Sequence, residues 1–337
     1  MIEKPRSSLI DHRTSDIDHR TSSLESDFAA DVARDLALTP KQLQSKYLYD
    51  ALGSSLFEAI CRLPWYRITR AEAALLARHA PTIAALSSGE RSLAVVELGV
   101  GSGEKLSTIV DALVRNGELA VHLIDVSPAA LDATETRLAR FPHVRVRRHQ
   151  ATYDEGLASL PASIESNTRA LVLFLGSNIG NFDVATARDL LRAIRRALRD
   201  GDNLLLGADL IKPEADLLAA YDDPLGVTAA FNKNLLVRIN RELGGQFDLG
   251  TFDHRAVWNA REHRIEMHLV SRVRQDVWIE SADLRVPFAA GESIWTESSY
   301  KYTDEAIASL GTAAGFALTA QWVDEDARFA LTLLTAA

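Results

Sequence analysis

Three glycines at alternate positions, Gly99, Gly101 and Gly103, close an apolar run that begins at Ala94, and Lys105 follows them. A strand ending in such glycines turns tightly into a helix and lets a ligand approach its backbone. Dinucleotides and S-adenosylmethionine (SAM) both bind at turns of this kind. A dinucleotide turn carries its third glycine where this chain has Glu104. A carboxylate there repels a pyrophosphate but is no obstacle to SAM, which has no phosphate. A second apolar run, 119–125, ends one strand–helix–strand step later in Asp125. That carboxylate can accept hydrogen bonds from both ribose hydroxyls of an adenosine. The spacing predicts a SAM site, in preference to a tight turn with no ligand or to an NAD(P)-dependent oxidoreductase.

These residues need a scaffold. The pattern reads as strand 93–98, helix 103–115, strand 119–125, helix 128–139, strand 144–149, strand 170–175, helix 184–198 and strand 203–206. Near-continuous apolar strands between amphipathic helices predict a parallel sheet covered on both faces, with ligands beyond the strands' carboxyl ends. Gly99, Asp125 and Asn181 all fall at such ends. Upstream, helical patterning starts near Ser26, with Phe28, Val32 and Leu36 on one face. Thr39-Pro40 is expected to open a second short helix, with Thr39 as N-cap. The stretch 47–63 reads as helical up to Pro64, and helix 70–84 as broken or kinked before Pro81. After Lys212-Pro213, helical stretches around 213–243 precede period-two strands at 263–274 and 276–287. Segments 317–323 and 329–334 form a terminal hairpin about Asp324-Glu-Asp326.

The expected fold class is α/β: a Rossmann-like, class I SAM-dependent methyltransferase sheet with a C-terminal antiparallel hairpin, plus a second α+β lobe for substrate. Residues 26–69 and 213–300 are assigned to that lobe, and 70–212 and 301–337 to the methyltransferase domain. Residues 1–25 form a polar arm with a short duplication, Asp11-His-Arg-Thr-Ser15 and Asp18-His-Arg-Thr-Ser22. The arm is too poor in apolar side chains to offset its ordering entropy and is expected to be disordered.

With 337 residues and 47% hydrophobic composition, the chain can bury one large core or two moderate ones. A net charge of −9 and a pI near 5.5 argue against a nucleic-acid groove or an anionic membrane surface. The single cysteine, Cys61, excludes an intrachain disulfide and fits a reducing cytosol. No apolar run approaches a membrane span of about 20 residues. The N-terminus has no signal-peptide core. His254, His263 and His268 lack metal-ligand spacing. The expectation is a cytoplasmic, metal-free monomer acting on a small molecule.

Beyond the glycine turn, the chain resembles the histidine Nα-methyltransferases of ergothioneine biosynthesis from about Leu36 onward. The resemblance lies in LPWYRITRAEA (63–73), VELGVGSGEK (96–105), FLGSNIGN (174–181), AYDDPLGVTAAFNKN (220–234), RIEMHL (264–269) and TESSYKY (296–302). It implies a SAM enzyme that trimethylates the α-amino group of L-histidine to hercynine. Gly99, Gly101, Lys105 and Asp125 would hold SAM, with Lys105 near its methionine carboxylate. Tyr66, Gly176, Asn181, Tyr221, Met267, Glu297 and Ser299 would line the histidine pocket. Of these, Asn181 and Tyr221 would hold the carboxylate, and Glu297 and Ser299 would meet the imidazole. Tyr49 would face the amine, as a catalytic residue with Asn181. The family's acidic residue followed by Phe, near the adenine, corresponds to Thr152-Tyr153 here. Tyr153 can still stack on a purine, whereas Thr152 is a weaker acceptor for the exocyclic amine.

The chemistry is consistent with the residue types. A buried carboxylate costs several kcal/mol unless it is partnered, so an imidazole N–H offers Glu297 what an apolar side chain does not. An indole pocket, as in an α-N-methyltransferase of a tryptophan derivative, would gain little from it. A non-catalytic SAM-binding regulator would keep the turn and Asp125 but would not need Asn181, Tyr221, Glu297 and Ser299 together.

Overall fold

The computed structural model describes residues 27–88, 92–114 and 117–337, so the duplicated arm lies outside the described residues. The chain forms two compact units. One contains the described residues up to Arg62 with Tyr221–Val257 and Glu266–Glu297; the other contains Leu63–Ala220, Trp258–Ile265 and Ser298–Ala337.

Helix α1 (27–36) opens the first unit and buries Phe28, Val32 and Leu36, the face its periodicity marks. Thr39-Pro40 does not open a second helix. That peptide bond is cis, and a strand, β1 (Lys41–Gln42), follows it, pairing in parallel with Ile294 and Trp295. A local N-cap signal has yielded here to pairing with a distant strand. The 47–63 stretch is interrupted: a 3-10 turn (Ser45–Leu48) precedes α2 (Ala51–Arg62), and Asp50 accepts the Gly53 amide at 2.7 Å to start the helix.

In the second unit α3 (Ile68–Ser88) continues through Pro81. There follow β2 (Ser92–Leu98), α4 (Glu104–Leu113), β3 (Leu119–Asp125), α5 (Pro128–Leu138) and β4 (Val144–Gln150). After these come α6 (Tyr153–Ser163), β5 (Thr168–Phe174), α7 (Val184–Ala197), β6 (Asn203–Asp209) and α8 (Glu214–Tyr221). The sequence pattern does not mark α6, although Thr152 and Glu155 form a complete capping box at its start.

The remaining elements of the first unit are α9 (Val227–Leu243), β7 (Phe252–Asn259), β8 (Arg264–Ser271), β9 (Gln275–Ile279), β10 (Leu284–Phe288) and β11 (Ser293–Tyr300). The last residues of β7 and β11 and the first of β8 fall in the second unit. Strands β1, β11, β8 and β7 form one sheet in that order. The single strand expected over 276–287 is instead the antiparallel pair β9–β10, turned at Glu280–Asp283 with Asp283 at a left-handed φ of 45°. Phe247, Phe252 and Phe288 pack edge to face in the core of this unit.

Helix α10 (Asp304–Ala313) and strands β12 (Phe316–Asp324) and β13 (Phe329–Ala336) complete the second unit. Its seven-stranded sheet has the order β12-β13-β6-β5-β2-β3-β4. Strands β2 to β6 are parallel, while β13 is antiparallel to both β6 and β12, as the terminal hairpin requires. The strand order reverses between β2 and β5, which makes the loops after these two strands the walls of a ligand crevice. Among the described residues no helix is long and apolar enough to cross a membrane, and no group of three or more His, Cys, Asp or Glu is placed to hold a metal ion.

Candidate active site

The glycine turn leaves β2 with Gly99, Gly101 and Gly103 at φ of 75°, 51° and 70°. Each position needs glycine for the backbone conformation, but the surroundings differ. A Cβ on Gly99 would lie 3.3 Å from Asn178 Nδ2 and 2.7 Å from Tyr153 Oη, and one on Gly103 would lie 2.7 Å from Thr134. A Cβ on Gly101 would meet nothing within 4 Å, so the backbone is open to a ligand there.

Asp125 braces this turn from the end of β3. One carboxylate oxygen accepts the Val100 amide at 2.9 Å and the other accepts the Ser127 amide at 2.8 Å. A carboxylate has about four lone-pair sites, so the two amides fix its orientation and leave capacity for ribose hydroxyls. Thr152 is occupied with capping: its hydroxyl donates to the Glu155 carboxylate at 2.8 Å and accepts the Glu155 amide at 3.4 Å. Tyr153 lies behind the turn, with its ring edge-on to Phe174 at 5.6 Å, and burial pushes its phenol pKa up.

Two acidic residues inside the quoted motifs were not singled out by residue type alone. Glu72 on α3 is fully buried, pairs with Lys105 and accepts the Gly176 amide with both oxygens, at 2.8 and 2.9 Å. Glu97 on β2 is also buried, and desolvation raises its carboxyl pKa well above the usual range despite the opposing charge of Lys105. One of its oxygens, Oε2, has no hydrogen-bond partner.

The loop after β5 carries Gly176 at φ 79°, Ser177 at φ 58° and the 3-10 turn Asn178–Asn181. The Ser177 hydroxyl accepts the Asp209 amide at 2.9 Å, which ties this loop to the end of β6. Asn178 stands between the two glycine turns, its amide near both Gly99 and Gly176. Asn181 is exposed and Tyr66 is buried. Ser299 is buried, and its hydroxyl accepts from Lys301 at 2.8 Å. Lys301 also pairs with Asp209 at 2.9 Å, and Lys212 donates to Asp209 at 2.6 Å.

The first unit carries Tyr49, Tyr221, Met267 and Glu297. Tyr49 is partly exposed and packs edge-on against Phe57 and Phe231 at 5.5 Å. The Tyr221 carbonyl accepts from His254 Nε2 at 2.8 Å, and His254 Nδ1 meets Asn232 Nδ2 at 2.9 Å. This arrangement suits a neutral imidazole, and burial lowers the His254 pKa accordingly. Met267 is buried in alternation with Ile265 and Leu269 along β8, and its carbonyl accepts from Thr296 at 2.9 Å. Glu297 is half-buried on β11, and its carbonyl accepts from the Trp295 indole at 2.9 Å.

The donor set is one that SAM could use: a carboxylate fixed at Asp125, an open backbone at Gly101, and a cation at Lys105. Residues 28–336 match the family described as histidine-specific methyltransferase, SAM-dependent. The chain is 42% identical over 305 residues to a histidine N-alpha-methyltransferase of Mycobacterium tuberculosis, covering 90% of this chain and 93% of that one. It is 41% identical over 306 residues to the protein of the same name in Mycolicibacterium smegmatis, again covering 90% and 93%. Among solved structures, a SAM-bound amino pentose methyltransferase from Micromonospora echinaspora matches at a TM-score of 0.40 and 16% identity, over 86% of this chain and 98% of that one. The family match reaches every helix and strand of both units, and the chain belongs to the SAM-dependent, histidine-specific methyltransferases.

Proposed function

We propose that the protein methylates the α-amino nitrogen of L-histidine three times, giving hercynine, in the first step of ergothioneine synthesis. The observation that carries this reading is 42% identity over 90% of the chain to a histidine N-alpha-methyltransferase. When bound, SAM supplies an electrophilic methyl group on its sulfonium.

The protein's part is to align a neutral amine with that methyl. Alignment alone is worth ~7–11 kcal/mol of barrier. The adjacent carboxylate lifts the α-amino pKa of a free amino acid above the ~7.7–8.0 of model peptides, so only a minority is neutral near physiological pH and the proton must leave before each transfer. In this reading Asp125, Gly99 and Gly101 hold the adenosine, Thr152 and Tyr153 flank the adenine, and Lys105 meets the methionine carboxylate. Asn181 and Tyr221 fix the histidine carboxylate beside Gly176, while Tyr49 faces the amine. Glu297 and Ser299 address the imidazole, with Tyr66 and Met267 alongside, and the first unit serves as the substrate lobe. Acceptance of an imidazole N–H by Glu297 makes histidine the preferred amino acid, because an analogue without that donor leaves the carboxylate unpaired. A cytoplasmic, monomeric and metal-free enzyme completes the proposal, and the lone cysteine fits a reducing compartment.

Mass spectrometry of the protein incubated with SAM and each of the twenty amino acids tests this. Three added methyl groups on histidine alone are expected. Methylation of tryptophan in place of histidine would overturn the pocket assignment and leave the cofactor site standing.

A further inference from the structure

Glu72 is anchored as few carboxylates are. Both of its oxygens receive the Gly176 amide, and Oε1 occupies the space that a side chain on Gly207 would need, 2.0 Å from where a Cβ would lie. The backbones of β6 and of the loop after β5 therefore fix the carboxylate. Its partner is less confined: the Lys105 side chain retains 25% exposure while that of Glu72 has none. A stationary buried anion holds a cation that still reaches solvent.

We propose that Glu72 is a positioning residue that serves as the resident counter-ion of Lys105, lowering the affinity for SAM and its demethylated product enough to permit exchange between successive methyl transfers. The inference rests on the reading of Lys105 as partner of the cofactor's methionine carboxylate. An arriving carboxylate must share or displace the Glu72–Lys105 pair, and it experiences the repulsion of a fixed negative charge as well as the attraction of the ammonium. Both the methyl donor and S-adenosylhomocysteine carry that carboxylate, so the penalty applies to both. Three methylations of one histidine require three molecules of donor. An uncompensated lysine at this position would hold each spent cofactor longer, because changes in affinity act mostly through the rate of release. Gly176, placed in the histidine pocket by the same reading, donates its amide to both oxygens of this carboxylate. A glutamine at position 72 keeps one oxygen as acceptor for that amide, removes the charge, and replaces the other oxygen with an amide donor.

The test is calorimetric titration of S-adenosylhomocysteine into the full chain carrying Glu72→Gln or Lys105→Ala, beside the unmodified protein. Glu72→Gln is expected to tighten binding by about tenfold, on the order of one charge-assisted hydrogen bond. Lys105→Ala is expected to weaken it. A gain of affinity is the opposite of what a damaged fold produces. Unchanged or weaker binding in Glu72→Gln, with Lys105→Ala weakened, overturns the counter-ion role and preserves the Lys105 reading. Unchanged binding in Lys105→Ala overturns both. Should Glu72→Gln fail to fold, the unmodified protein provides the test through decarboxylated S-adenosylhomocysteine. Loss of less than about tenfold on removing the carboxylate supports a Lys105 already neutralised, and any larger loss refutes it.

Discussion

The Tyr153 hydroxyl stands 2.7 Å from the point a Cβ on Gly99 would occupy, so the phenol fills the room that any side chain at the turn would need. Gly99→Ala therefore suffers both this contact and a left-handed φ of 75°. A loss of about 1–3 kcal/mol of stability is expected. Tyr153→Phe should recover part of it, and the double mutant should depart from additivity by at least about 0.5 kcal/mol in denaturant titrations. Strict additivity would mean that Tyr153 moves aside at no cost.

Asp125→Ala removes the acceptor for two backbone amides along with the proposed ribose partner. SAM affinity is expected to fall by about 1.5–3 kcal/mol, a charged hydrogen bond's worth. Calorimetry with S-adenosylhomocysteine gives the answer directly, and unchanged affinity would remove Asp125 from the adenosine site.

Glu297→Ala should separate the two ligands. Histidine binding is expected to weaken by about 1.5–3 kcal/mol while cofactor binding is retained. If histidine titrates with its original affinity, Glu297 is not the imidazole's partner.

The His122–His149 pair predicts an acid limb of instability. The two rings stack at 5.3 Å, and His122 Nδ1 meets His149 Nε2 at 3.1 Å. Burial, then the neighbouring His149 and Arg147, push the His122 pKa from 6.5 down to about 4, and burial with Arg147 lowers that of His149. Between pH 6.5 and about 4 the unfolded chain binds protons that the folded one refuses, so stability falls as the pH falls through that window. Thermal melts should show the midpoint dropping across it, and His122→Gln should flatten the drop. An equal pH dependence in wild type and variant would contradict the assignment.

Much of the second unit's sheet was legible in the sequence because its strands are short apolar runs bounded by turn signals. The 119–125 run coincides with β3, residue for residue. What escaped was set by partners far away in the chain. Lys41 and Gln42 become a strand only because β11 lies beside them. The division of 276–287 into two strands depends on a left-handed Asp283, a residue type that announces such a turn less clearly than glycine does. Helix α6 had a readable start at Thr152-x-x-Glu155, but an internal Pro161 obscured its course. The same limit applies to the site. Gly99 and Asp125 stand out as candidates from spacing and chemistry and Lys105 through the family resemblance, whereas Glu72 reaches Gly176 across 104 positions, a relationship no local pattern encodes.

Strand β13 has a further consequence for how the protein is made. It lies inside its sheet, bonded to β6 on one side and β12 on the other, yet it is the last of the seven strands to be synthesised. While the ribosome adds residues 210–328, β6 waits with every residue apolar-packed or buried in the finished fold and one edge unpaired. Such an edge is a template for any passing strand. A nascent chain stalled before Phe329 should therefore aggregate or occupy a chaperone, and would not persist as a smaller working enzyme.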